Sequence, residues 1–242
     1  MCDIINLVIN MDEVVNIYES GNLIVRAMDL PNITRDSGQF FYDCSTWAQE
    51  FEYMMNNEFS SVSSTLLIPG VGVGTYKNVG FLVDAREAEC FHISKYDSCS
   101  NGNQQNGDFF AGAADFETVE QLATYIKEEN ATTMNEINMN LDLNAVVGLV
   151  FNKCIAEKEL LRKMLYVIRT LEIMTGITYP IYQYDSKNGI ITKVELTNEL
   201  IDELNSMPQR IAQFKTQNLL FSTERTNLYY DDITSLNKSL GI

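Results

Sequence analysis

Apolar positions along the chain fall into runs with two periods. Trp47, Phe51, Met54 and Met55 recur at i, i+4, i+7 and i+8, the stripe of a helix over Thr46–Met55 with one buried face. Leu160, Leu161, Met164, Leu165, Ile168 and Leu171 make the same stripe over Ala156–Met174, and Gly176 marks its end. Glu117–Glu129 reads as a further helix, and Thr197–Lys215 as one interrupted near Pro208. Strand-like runs behave differently. Asp3–Met28 reads as a short helix leading into NLIVRAM, followed by a loop with Pro31, Asn32, Asp36 and Gly38. Three further strands are expected at 78–85 (NVGFLVDA), 89–96 (ECFHISKY) and 107–116 (GDFFAGAADF), with short turns rich in Asn, Gly and Ser between them. Residues 141–151 form an apolar run, and YPIYQYDSKNGIITKVEL predicts a hairpin turning at SKNG.

These segments predict an α+β protein. The character of the sequence changes after Asn130, which sets a boundary between a core over 1–135 and a mainly helical extension with a hairpin over 136–242. The two can also form one compact unit. With 242 residues and 45% apolar content, the chain can bury a sizeable core.

Charge narrows the function classes. Lys plus Arg number 17 and Asp plus Glu 33, a net charge of −16, which repels phosphate backbones and anionic lipid. Neither a nucleic-acid binder nor a membrane-bound protein is expected, and the protein partner is expected to be basic. No apolar run has the length of a membrane span, and MCDIINLVINMDEVV has no basic start. The five cysteines, Cys2, Cys44, Cys90, Cys99 and Cys154, are scattered and form no CxxC pair. A reduced, cytoplasmic protein fits this usage, as does one passed into a host cell by a route that needs no signal peptide.

A single histidine, His92, limits the chemistry. Multi-histidine metal sites are excluded, and neither a metal nor another cofactor is expected. Any site that activates a thiol or hydroxyl through imidazole must use His92. Cys44 directly precedes the helix predicted over Thr46–Met55, where the helix dipole favours thiolate. Asp108 begins the strand that follows His92, close enough in sequence for a hairpin to set the two side by side and fix the ring tautomer. Gln39, shortly before Cys44, can supply an oxyanion-hole amide. Each of these residues also has an ordinary reading: a core thiol, a hydrogen-bonded strand histidine, a turn aspartate and a loop glutamine. GVGVG (70–74) followed by Lys77 lacks the GKS or GKT of a phosphate loop and is read as a plain loop. The Asp231–Asp232 pair is read as a solvated turn.

The order Gln39, Cys44 at a helix start, His92 on a strand and Asp108 on the next resembles papain-like cysteine proteases, with the spacing of YopT-type effector proteases. GDFFAGAADFETVEQLATYI matches the passage from the Asp strand into a helix in that family, and DCSTW is similar to the start of NlpC/P60 peptidases. The resemblance spans roughly 39–126. It implies a papain-like core in which the helix opened by Cys44 packs on an antiparallel sheet. It further implies a cysteine-nucleophile hydrolase or acyl transferase acting on a protein amide bond as protease, deamidase or transglutaminase. Cys44 would attack, His92 would act as base, Asp108 would orient it, and Gln39 would help hold the oxyanion. In the NlpC/P60 frame Asn78 aligns with the histidine position, which gives the alternative: a catalytically inactive, acidic interaction protein on the same fold.

Overall fold

The computed structural model describes residues 7–8, 11–28, 32–36, 39–43, 47, 61–73, 79–95, 115–129, 135–140, 142–152 and 157–206. In chain order the elements are β1 (Leu7–Val8), α1 (Met11–Glu19), β2 (Leu23–Met28), β3 (Asn32–Asp36), β4 (Gln39–Asp43), β5 (Ser61–Leu67), β6 (Val79–Asp84), β7 (Glu89–Ser94), α2 (Val119–Glu129), β8 (Glu136–Asn140), a 3-10 turn (Leu143–Ala145), β9 (Val146–Asn152), α3 (Glu157–Thr175), β10 (Ile177–Thr178), β11 (Ile181–Asp185), β12 (Ile190–Lys193) and α4 (Asn198–Ser206). The protein is mixed α and β, built on an eight-stranded sheet in the order β12-β11-β9-β6-β2-β5-β8-β7. Every neighbouring pair in that sheet is antiparallel except β9 with β11.

Strand alternation assigns each face of this sheet to a separate core. One face carries Ile24, Leu66, Phe81, Leu149 and Ile137, and packs under α2, α3 and the single described residue of the Trp47 segment. Trp47 is 1% exposed, and its ring meets that of Phe81 edge-on at 4.6 Å. The opposite face carries Leu23, Val25, Leu67, Leu82 and Val150 beneath Val14, Ile17 and Tyr18 of α1. β6 and β9 are buried on both faces. For β9, this explains why 146–151 carries no alternating polar residues.

The sheet crosses the sequence boundary at 135/136: β8 pairs with β5 and β7, and β9 pairs with β6. The described part of the expected helical extension holds β8 to β12 as well as α3 and α4. The loop expected around Pro31–Gly38 differs too, since β3 and β4 pair there as a hairpin from Asn32↔Asp43 to Asp36↔Gln39. NITRD and QFFYD are too short and mixed to leave a clear period, and pairing rather than local pattern makes that hairpin. β5 and β8 were likewise not among the expected strands.

The glycine loop has a structural purpose. A side chain at Gly72 would strike the backbone carbonyls of Ser186 and Lys187, and one at Gly189 would strike the backbone of Val71. Gly189 also has φ +59°, a left-handed conformation suited to the SKNG turn. The Gly189 carbonyl accepts from Gly70 N–H at 2.9 Å and from the Tyr18 hydroxyl at 2.6 Å. The loop therefore docks on the β11–β12 turn, and α1 fastens both.

Candidate functional site

His92 sits on β7, the last strand of the sheet, and its register fixes the face it occupies. Ile93 pairs with Ile137, and both belong to the core under α2 and α3. His92 pairs with Asn138 and Ser94 with Glu136, so these four side chains share the opposite face. An irregularity in the ladder between Cys90 and His92, at Phe91, shifts the alternation so that Cys90 returns to the apolar face.

That opposite face has two ends. Under α1 it is apolar. At β5, β8 and β7 it becomes polar, with Ser63 and Thr65 on β5, Glu136 and Asn138 on β8, and His92 and Ser94 on β7. Thr65, Ser94, Glu136 and Asn138 are buried, Asn138 to 4% exposure, while His92 is half-buried and Ser63 exposed. Buried polar groups are costly unless paired. Ser63 Oγ donates to Glu136 Oε1 at 2.8 Å, and Ser94 Oγ shares a 3.0 Å hydrogen bond with His92 Nε2. Asn140 Nδ2 reaches Glu89 Oε2 at 3.4 Å along the rim. Asn138 Nδ2 is sealed from solvent and has no hydrogen-bond partner. A buried donor left unmatched costs about 1–3 kcal/mol.

Asn135 shows the ordinary alternative. Its side chain is also buried, but it accepts from Leu66 N–H at 2.8 Å and donates to the Leu66 carbonyl at 3.1 Å. It extends the β5–β8 ladder by one step where the backbone of β8 has not yet begun.

The sequence-derived site residues fall in different places. Cys44 and Asp108 lie outside the described residues. Gln39 opens β4, with its backbone opposite Asp36. His92 is where the strand pattern put it. Downstream of the Asp108 region, Phe116 forms an antiparallel bridge with Ile93, and Asp115 holds the end of β7 by accepting from Lys95 N–H at 3.0 Å. Trp47, three positions after Cys44, lies on the sheet face opposite His92, over β6. β6 and β7 are separated by β2, β5 and β8 in the sheet. At a strand spacing of about 4.8 Å, the two strands lie roughly 19 Å apart.

Among the described residues no group of His, Cys, Asp and Glu is arranged to hold a metal ion. No described helix is long and apolar enough to cross a membrane. Of the five cysteines, Cys90 is the one in the described part; burial, and then the charge of Glu120, pushes its thiol up to about 11. This thiol stays protonated at neutral pH and is a poor nucleophile.

Ser94, Glu136 and Asn138 were absent from the sequence-derived site. The signal for two of them was present: in EINMN, Glu136, Asn138 and Asn140 alternate with Ile137 and Met139, the period of a strand with one polar face. No family model and no curated protein matches the sequence.

Proposed function

We propose that the chain is a non-catalytic, acidic interaction protein whose partner is basic. The observation that carries this reading is the placement of Trp47. Its ring packs on Phe81, on the far side of the sheet from His92 and about 19 Å across it. A thiol–imidazole pair needs hydrogen-bond reach, and this arrangement favours no such pair. The net charge of −16 supplies the means of association. Glu87, Glu89, Glu117 and Glu120 are exposed on or just before β7 and α2, and Phe91 on β7 is 46% exposed. Exposed acids near an edge strand that also exposes an aromatic ring suit a basic partner surface with some apolar contact. A fluorescent arginine-rich peptide should bind at low salt, weaken steeply as salt rises, and weaken further in Glu89→Lys and Glu120→Lys. No binding at low salt, or binding indifferent to both substitutions, overturns this reading.

A second reading is the cysteine-nucleophile amide-bond enzyme of papain-like fold, with Cys44 as nucleophile, His92 as base, Asp108 as orienter and Gln39 at the oxyanion. One observation favours it. The Ile93–Phe116 bridge brings the stretch that follows Asp108 back beside the strand of His92. In this reading Cys44 reacts with a thiol-directed peptide electrophile far faster than the other cysteines, and His92→Ala removes that advantage. In the interaction-protein reading, intact-mass labelling finds Cys44 no faster than an unstructured thiol.

A further inference from the structure

We propose that α4 is a releasable latch on α3, which undocks as a unit while the sheet stays folded, with Arg162 and Arg169 setting how often it opens. This device is independent of both readings above. α4 has nine residues, Asn198–Ser206. An isolated helix of that length is marginal in water, so its helicity depends on docking. Its apolar hold is small. Across 198–205 Leu200 is buried, at 4% exposure, and Leu204 is half-buried, while Ile201 is 39% exposed. A segment with few buried contacts opens at lower free energy than the core it rests on. The centre of the sheet is different: β6 is buried throughout, and β9 through all but its last residue.

Two arginines of α3 add a polar grip. α4 carries Glu199, Asp202 and Glu203 and no basic residue. Arg162 Nε donates to Glu203 Oε2 at 3.1 Å, and its Nη2 donates to Glu199 Oε1 at 3.3 Å, so one guanidinium holds two acids a turn apart on α4. Arg169, about two turns further along α3, divides its fork. Nη1 pairs with Glu172, and Nη2 donates to the Leu204 carbonyl at 3.0 Å, in the last turn of α4. Carbonyls there lack a helical partner and carry the negative end of the dipole, which suits a guanidinium. The Arg169 and Glu172 side chains are 14% and 15% exposed, and the other Glu172 oxygen accepts from Thr178 Oγ1 at 2.7 Å. Arg169 is thus held by α3 and β10 in the position from which it grips α4. In a chain of net charge −16, the three acids of an α4 that has lost these pairs are repelled by the remainder. Opening then draws Leu200 out of the core it belongs to.

Hydrogen exchange of the whole chain, read by mass spectrometry, compares peptides covering 196–206 with peptides from β6 and β9. The expected result is that α4 exchanges faster than β6 and β9, through an opening of its own. Arg162→Glu sets like charges against Glu199 and Glu203, and should speed α4 exchange by roughly tenfold while β6 and β9 keep the parent rate. Adding Glu203→Arg to Arg162→Glu restores an opposite pair and should bring α4 back toward the parent rate, which a purely structural role for Arg162 does not predict. Glu203→Arg alone should also speed α4, and takes the place of Arg162→Glu if that variant does not fold. The proposal fails if α4 exchanges in step with β6 and β9 in the parent. It fails equally if the single substitutions leave α4 unchanged or speed the sheet as much, or if the double reversal stays as fast as the single one.

Discussion

Asn135 and Asn138 are the same residue type, three positions apart, both buried and both on or beside β8. One makes two hydrogen bonds to Leu66 and the other leaves its nitrogen unmatched. Asn135→Ala strips partners from both the N–H and the carbonyl of Leu66, and is expected to lower unfolding free energy by about 1–3 kcal/mol, measured by denaturant titration. A change below a few tenths would mean that solvent replaces the side chain there. Cys90 and Tyr184 make a second expectation, through pH. Burial pushes Cys90 up to about 11 from 9.0, and burial pushes Tyr184 up to about 12 from 10.0, against the opposing bond it accepts from Val73 N–H. Each group is neutral when protonated. Below pH 9.0 both are protonated in folded and unfolded chain, and their stability contribution is complete. As pH rises from 9.0 toward about 11 the unfolded chain loses the Cys90 proton first, and folding weakens; from 10.0 toward about 12 Tyr184 adds to the loss. Melting temperature should be flat with respect to these groups up to pH 9.0 and fall above it, and Cys90→Ala should remove the earlier part of the fall.

Elements explain why glycines crowd the 70–74 stretch. A phosphate cradle would leave the backbone N–H groups of the loop pointing to an open site. Here Gly70 N–H is spent on Gly189, and the Gly72 α-carbon is pressed against the 186–187 backbone. Gly72→Ala must push two backbone segments apart, and is expected to destabilise by about 1–3 kcal/mol and to loosen the SKNG turn, seen as faster amide exchange at Gly70. Stability equal to the parent would show that the loop and turn are not packed as described. The described helices α1 to α4 and this hairpin were legible because each rests on a local signal, while the helix expected over Thr46–Met55 lies, but for Trp47, outside the described residues. The α3 stripe of Leu160, Met164, Leu165, Ile168 and Leu171 needs no partner to be seen, and Gly176 follows α3 with φ +74°. β3, β4 and β5 were not legible as strands, and β8 was missed although EINMN alternates. SVSSTLL and EINMN are short and rich in Ser and Asn, and they become strands because they pair with each other over a long separation in sequence, with Ser63 opposite Asn138 near the middle of the ladder.

The molecule as a whole is organised by which face of one sheet each segment covers. Trp47 is the only tryptophan, so its fluorescence reports the packing of its ring on Phe81. Trp47→Ala removes a fully buried ring and is expected to lower stability by about 3–5 kcal/mol. Phe81→Ala should shift the native tryptophan emission to the red without touching the indole; an unchanged spectrum would remove the Trp47–Phe81 contact, and with it the opposition of Trp47 and His92 on which the proposed function rests. The sequence by itself determined the mixed α and β class, the helices, the hairpin at SKNG, the strand of His92 and the large negative charge. Each of these depends on residue type and on neighbours a few positions away. Tertiary structure alone decided that β5 and β8 bridge the two halves of the chain in one sheet. It also decided that Ser94, Glu136 and Asn138 stand with His92, and that Trp47 stands against the other face. Alternation reveals that a strand has two unlike faces, but only register with distant strands says which side chains share one.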